Sequence, residues 1–170
     1  LSPKWLVVVG FILFAIPSAI QFSGQASLGF MPSAQLQEMT LSWQPTPEMV
    51  ADEVAAFQGG WLTQMEHRVA DSWQMHTYVF LLYMGWRICG MMLIGMALFK
   101  WGIFTAQRSR QFYTRMMLLG FLFGFPLVIG GVMQNFAHNW EFSYSMFTGS
   151  QFNYWGSILV SFGYIGMVML

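Results

Sequence analysis

The chain has 170 residues, of which 56% are hydrophobic, 18% are aromatic and only 8% are charged. Soluble globular domains carry about 25% charged residues. This composition therefore excludes a water-exposed surface over most of the chain and predicts an integral membrane protein with the lipid bilayer as its main partner. It also excludes nucleic acid as a partner, because no basic face with interleaved aromatic residues occurs outside one short loop. The formal net charge is +0, although the charges are unevenly distributed.

Four apolar segments predict an all-α, polytopic transmembrane helix bundle with a cytoplasmic N-terminus and a single membrane domain over residues 1–170. A helix needs about 20 apolar residues to cross a bilayer. The chain starts without methionine and ends within an apolar run, so we expect an internal segment of a longer membrane protein. The predicted spans are residues 5–20, 77–99, 116–137 and 154–170, of which the last is truncated by the end of the chain.

The first apolar segment has a second interpretation, which the sequence leaves open. Lys4 precedes a short apolar core that Pro17 interrupts, and small residues follow near Gly24 and Ala26. A charged flank, an apolar core and small residues at a cleavage site are typical of a signal peptide.

The loops between the spans indicate the orientation of the chain. Residues 21–76 contain six acidic residues and only Arg68, which is typical of the non-cytoplasmic side, whereas the loop at residues 100–115 is basic and has no acidic residue. The aromatic loop at residues 138–153 is expected at the outer headgroups. Within the acidic loop, Thr46 and Pro47 predict a helix start, and Gly59-Gly60 predict its end before a second helix at Trp61.

Arg87 is the strongest single candidate for a functional residue. It lies within the second predicted span, where a charged side chain costs about 3 kcal/mol or more and normally faces a protein interior, a watery cavity or a carboxylate. The functional interpretation is that Arg87 binds an anionic group of an acyl donor or a lipid. The alternative is a structural ion pair, or hydrogen bonds to backbone carbonyls within the bundle.

Two further groups of residues are candidates for chemistry. Glu66, His67 and Arg68 form the densest polar cluster, in which a histidine near a carboxylate would be a general base. Adjacent helical residues do not face each other, so Asp71, four residues after His67, is the closer partner. The basic loop would bind coenzyme or lipid phosphates through Arg108, Arg110 and Arg115, and Arg68 is a further candidate for binding a substrate or an anion. The alternative for the cluster is a solvent-exposed helix with ordinary charges. The alternative for the loop is that its arginines only determine the orientation of the chain in the membrane.

No metal site is predicted. Cys89 is the single cysteine, and His67 and His76 are not separated by the four residues of a helical histidine pair.

The stretch from Gly85 to Arg115 resembles a known bacterial membrane-protein family, the YeiB-like proteins of domain of unknown function 418. The family pattern is a glycine-rich span followed by a basic turn with a tyrosine, and then a span with glycine and proline. In this chain the resemblance is carried by Gly85-Trp86, the run from Gly90 to Leu98, Trp101-Gly102, Phe112-Tyr113 and Arg115, then by Gly120, Pro126 and Phe162-Gly163-Tyr164, and more loosely by Glu53, Gly59 and Arg68.

The resemblance implies a multi-pass protein of the bacterial cytoplasmic membrane and a transmembrane acyltransferase that uses acyl-CoA. The family resembles the acyltransferase-3 and heparan-glucosaminide acetyltransferase superfamily. The "RxxxxDxxRGxA" stretch of that superfamily does not occur here, which puts catalysis by this segment alone in doubt. The alternative function is a non-catalytic membrane subunit or transporter-like bundle, which would assemble with membrane partners or with itself through its glycine-rich spans.

Overall fold

The fold is entirely helical. The computed structural model describes the backbone of residues 1–170 and the side chains of all residues except 63 and 66. In total 86% of the chain is helical, and no strand occurs in the described residues, which confirms the predicted all-α class. The helices are α1 Pro3–Ser27, α2 Ser33–Trp43, α3 Pro47–Gln58, α4 Trp61–Gln74, α5 Gly85–Lys100, α6 Arg110–Ala137, the single turn α7 Phe142–Tyr144, and α8 Ser150–Val168.

Helices α1 and α5 pack closely in an antiparallel pair. The Lys100 Nζ donates a hydrogen bond to the Leu1 carbonyl over 3.0 Å, so the start of α1 meets the end of α5. Farther along the pair, a Cβ atom on Gly90 would lie 2.9 Å from the Phe14 backbone nitrogen. No side chain fits at that distance, so glycine is required at position 90. Of the three glycines spaced along the second span, only Gly90 has this role.

Helices α6 and α8 form the second close pair. A Cβ atom on Gly120 would collide with the backbone of Gly163, and one on Gly124 would lie 2.8 Å from the Val160 backbone nitrogen. Gly120 and Gly124, four residues apart on α6, are therefore used for packing inside the chain. A core of buried residues joins both helix pairs: Phe14, Ile94, Leu98, Ile103, Tyr113, Tyr154 and Ile158.

The charged residues separate between the two ends of the bundle. Lys4, Lys100, Arg108, Arg110 and Arg115 lie near the end where α1 and α6 begin and α5 ends. All seven acidic residues lie in the segments at the opposite end, within residues 21–76 and 138–153. We call the first end the basic end and the second the outer end, following the orientation that the positive-inside rule predicts.

Three helical segments of the described residues are long and apolar enough to cross a membrane: Pro3–Phe30, His67–Lys100 and Arg110–Ala137. The chain is thus an integral membrane protein, but only three of the four predicted spans meet these criteria. The fourth corresponds to α8, which has 19 residues. Its first turns carry Ser150, Gln151 and Asn153, and these polar side chains lower its apolarity below that of the other three.

Helix boundaries differ from the predicted ones where the chain passes between water and bilayer. Helix α1 continues through Pro17 to Ser27, beyond the predicted limit at residue 20. Helices α6 and α8 start inside the predicted loops, at Arg110 and Ser150. The predicted start of α3 is confirmed, because the Thr46 side chain accepts a hydrogen bond from the Met49 N–H. The predicted helix end at Gly59-Gly60 is also confirmed.

Helices α4 and α5 are joined without a break by a π-helical segment, Met75–Met84. The chain is therefore helical from Trp61 to Lys100, through the predicted boundary at residue 76. A π-helix has a wider turn than an α-helix, and such segments are frequent at functional sites. Because of its wider turn, the segment Met75–Met84 changes the angular relation between the side chains of α4 and those of α5 around the helix axis.

Candidate functional site

The candidate site is built around Arg87, on the first turn of α5. Arg87 precedes Lys100 by 13 residues, which is about 20 Å along an α-helix. Since Lys100 lies at the basic end and the hydrocarbon core is about 30 Å thick, Arg87 falls within the membrane, in its outer half.

The Arg87 side chain is half-buried between α5 and α8. Its Nη2 donates a hydrogen bond to the Ser157 Oγ over 3.1 Å. The guanidinium carbon lies 4.9 Å from the centre of the Tyr154 ring, which is a cation–π contact. Tyr154 is itself fixed, because its hydroxyl donates to the Phe14 carbonyl over 2.7 Å. The charge of Arg87 is thus held in place by α8.

The described side chains around Arg87 include no carboxylate. The chain has no Asp or Glu in residues 72–140, and Asp71 lies roughly 20 Å away along the same continuous helix. A guanidinium has five N–H donors, of which the Ser157 Oγ accepts one, and the Tyr83 side chain also interacts with the guanidinium. The structure therefore does not show the intramembrane ion pair that was the structural alternative for this residue.

An open groove of about 490 Å³ lies beside Arg87. Tyr83, from the last turn of the π-helical segment, forms one end of it, and its ring lies 5.6 Å from that of Tyr154. Tyr83 and Arg87 are four residues apart on one continuous helix, so their side chains lie on the same face and reach the same groove. The remaining wall is apolar and consists of Met84, Ile88, Met91 and Met92.

The described side chains of the predicted cluster around His67 make mostly local contacts. The His67 ring lies 6.1 Å from the Phe57 ring. Arg68 donates two hydrogen bonds to the Gln64 Oε1, over 3.0 and 2.8 Å, and lies 5.0 Å from the centre of the Trp61 ring. The side chain of Glu66 lies outside the described residues.

The three arginines of the basic end differ in whether their side chains form hydrogen bonds within the protein. Arg108 donates two hydrogen bonds to the Trp101 carbonyl, over 2.9 and 2.7 Å, which ties the loop to the end of α5. Arg110 and Arg115 instead line an exposed groove of about 370 Å³ on the first turns of α6. Among the described residues, neither of them has a side-chain hydrogen bond. Arg108 is therefore bound to the loop backbone, whereas Arg110 and Arg115 lie on an exposed groove, and anion binding by these arginines stays a prediction.

Comparison with known families gives one match. The family described as protein of unknown function (DUF418) matches residues 98–170. This part of the chain, less than half of its length, is similar to the DUF418 family. The match covers α6, α8 and the basic end, including Arg108, Arg110 and Arg115, whereas Arg87 and the outer helices lie before it. No curated protein and no solved structure matches the chain.

Ser157 and Tyr154, which hold the guanidinium of Arg87, come from the DUF418 part of the chain. They are 70 and 67 residues from Arg87 in sequence, respectively, and the sequence analysis did not identify them. A serine and a tyrosine in an apolar helix are too common to signal a site. From the sequence, the partners of Arg87 were indicated only by the general expectation that an intramembrane arginine has polar partners.

Proposed function

We propose that the chain is part of a transmembrane acyltransferase of the bacterial cytoplasmic membrane, in which Arg87 binds an anionic group of a substrate within the bilayer. The observation that carries this proposal is the uncompensated charge of Arg87 beside an open groove. An anion that accepts two hydrogen bonds from the free edge of the guanidinium would supply the missing countercharge. The match to DUF418 supports the membrane class, and the resemblance to membrane acyltransferases supplies the reaction type.

The basic end fits the phosphates of acyl-CoA, the donor that the resemblance implies. Arg110 and Arg115 have exposed guanidinium groups, and the end where they lie faces the cytoplasm, where the coenzyme is found. Bound there, acyl-CoA would supply an activated thioester. The role of Arg110 and Arg115 would be to hold its phosphates by charge-assisted hydrogen bonds. His67 stays the predicted general base, with Glu66 as its predicted neighbour.

The experiment is an acyl-transfer assay on the native protein in membrane vesicles, with radiolabelled acetyl-CoA as donor. We expect protein-dependent label in an acceptor, and a loss of roughly 100-fold or more in rate for Arg87→Gln. Arg87→Lys, which keeps the charge but not the fork of donors, should retain part of the rate. Arg108→Gln is the matched control, because Arg108 binds the Trp101 carbonyl and should leave transfer nearly unchanged.

Two results would contradict the proposal. If no label is transferred in the wild-type protein, acyl transfer is wrong. If Arg87→Gln transfers at the wild-type rate while its unfolding temperature is unchanged, Arg87 does not bind the substrate. His67→Ala in the same assay tests the predicted base, for which we expect a loss of about 100-fold.

A non-catalytic subunit is the second candidate, and the exposed outer helices favour it. Trp61 and Trp73 are 65% and 69% exposed, and a partner protein or the membrane surface would cover such side chains. A subunit should co-purify with one partner at constant stoichiometry and keep that association after Arg87→Gln and His67→Ala. An acyltransferase should lose its transfer activity with the same variants.

A further inference from the structure

A second cavity, of about 310 Å³, lies at the outer end of the bundle, between α6, the start of α8 and the π-helical turn Ser145–Gly149. It is not part of the Arg87 groove, because the two share no lining residue. Its volume is at the lower end of the range for small-molecule sites, which is about 300–1,000 Å³. The lining residues that matter here are Trp43, Asn135, Trp140, Ser145, Ser150 and Asn153.

Two buried polar atoms belong to residues of this cavity. The side chain of Asn135 is 8% exposed and that of Ser145 is 5% exposed. The Asn135 Nδ2 donates to the Gly131 carbonyl over 3.0 Å, which leaves its Oδ1 as an acceptor. Among the described residues, neither the Asn135 Oδ1 nor the Ser145 Oγ has a hydrogen-bond partner. Buried polar atoms almost always have one. These two atoms are closed to solvent in this conformation but belong to residues that line the cavity, so a small side-chain rotation would bring them to a ligand with hydroxyl groups.

The aromatic wall of the cavity is held by an unusual backbone. Asn139 and Trp140 have φ angles of +50° and +55°, a left-handed conformation that is rare for a residue as large as tryptophan. The Trp43 Nε1 and the Gln44 Nε2 both donate to the Trp140 carbonyl, over 2.9 and 3.2 Å. These bonds attach the end of α2 to the loop beside the cavity. Backbone conformations of this kind persist chiefly at functional sites.

We propose that this cavity binds a small neutral molecule with several hydroxyl groups, taken from the outer side of the membrane. The lining residues carry no charge, so an ionic ligand would have no countercharge there. Hydroxyl groups can donate to the Asn135 Oδ1 and accept from Ser145, and the C–H face of such a molecule packs against indole rings. A free polyol or glycoside and the headgroup of a glycolipid share this chemistry. The inference does not depend on acyl transfer.

The test measures thermal unfolding of the full chain in detergent and in nanodiscs. One arm adds a mixture of glycerol and the methyl glycosides of glucose, galactose, mannose and N-acetylglucosamine. The other compares nanodiscs with and without monoglucosyl diacylglycerol. We expect a saturable rise of the unfolding temperature in at least one arm, since a ligand that binds only the folded state stabilises it. A rise in the first arm indicates a free ligand, and a rise in the second arm alone indicates a lipid headgroup.

Ser145→Ala is the decisive variant. With a ligand it should weaken the apparent affinity at least tenfold, because it removes a hydrogen bond to the bound molecule. Without a ligand it should be as stable as the wild type or more stable, because it removes an unpaired buried hydroxyl. Ser161→Ala, on the same helix as Ser150 and outside the cavity, should leave the affinity unchanged. The proposal is overturned if neither arm shifts the wild-type unfolding temperature, or if Ser145→Ala shows the wild-type response.

Discussion

The membrane bundle and the outer arm, which we define as α3 and α4 (residues 47–74), are both helical but are stabilised in different ways. In the bundle, polar side chains bind partners far away in sequence: Ser18 donates to Gln151 over 2.6 Å, and Tyr154 donates to the Phe14 carbonyl. In the outer arm, the side-chain hydrogen bonds of the described residues reach at most seven residues along the chain, as between Gln64 and Phe57.

Burial separates the two regions in the same way. Helix α3 has no buried residue, whereas Phe14 at the centre of the bundle is fully buried. The described residues of the outer arm are therefore held by local interactions, namely helix caps and helix propensities. The bundle instead depends on close contacts between segments that are distant in sequence. Substitutions should therefore have global effects in the bundle and local effects in the outer arm.

The largest effect is expected for Gly120→Leu. A side chain at position 120 collides with the backbone of Gly163, so α6 and α8 would have to separate. We expect a loss of about 3 kcal/mol in the free energy of unfolding, measured by equilibrium unfolding in mixed micelles. Gly130→Leu is the matched control on the same helix, because a Cβ atom at Gly130 has nothing within 4 Å. Equal losses in both variants would show that these helices do not pack as described.

Tyr154→Phe should have the next largest effect. It removes the hydroxyl that donates to the Phe14 carbonyl over 2.7 Å and leaves that buried carbonyl without this donor. The expected loss is about 1.5 kcal/mol in the free energy of unfolding. Tyr164→Phe serves as the control, since Tyr164 is 50% exposed on the same helix and should change the stability by less than about 0.5 kcal/mol. A neutral Tyr154→Phe would show that α1 is not held by α8.

Arg108→Ala should have a smaller but measurable effect at the basic end. It removes two hydrogen bonds to the Trp101 carbonyl, and we expect a loss of about 1 kcal/mol. Arg110→Ala is the comparison, because Arg110 has no such bond in the described residues and should be neutral for stability. If both variants lost the same stability, the effect would come from charge and not from the hydrogen bonds.

The helical class could be predicted from the sequence because it depends on composition, and the orientation stays a prediction from the charges of the loops. Apolar length determines what can cross a bilayer, and the opposite charges of residues 21–76 and 100–115 indicate the two sides. The start and the end of α3 could also be predicted, because Thr46-Pro47 and Gly59-Gly60 determine the helix boundaries through residues that are close in sequence. These are local properties of the chain.

The sites could not be predicted in the same way, because they bring together distant residues. Arg87 was identifiable as a charge in a span, but Ser157 and Tyr154 become its partners only when α8 packs on α5. The π-helical segment has no sequence signal that distinguishes it from an apolar α-helix. The same holds for the outer cavity, whose orphaned atoms at Asn135 and Ser145 depend on the contact between α6 and the start of α8.

Thr46→Ala should change the stability of the whole chain least, because its effect should be confined to the first turn of α3. The Thr46 side chain accepts a hydrogen bond from the Met49 N–H at the start of α3, and losing such a cap costs a helix about 1 kcal/mol. Because α3 has no buried residue, this loss should not reach the bundle. We expect faster amide hydrogen exchange over the first turn of α3 and an unchanged unfolding temperature, whereas Thr46→Ser, which keeps the cap, should change neither. A lower unfolding temperature for Thr46→Ala would mean that the outer arm contributes to the stability of the bundle, and the comparison between the two regions would fail.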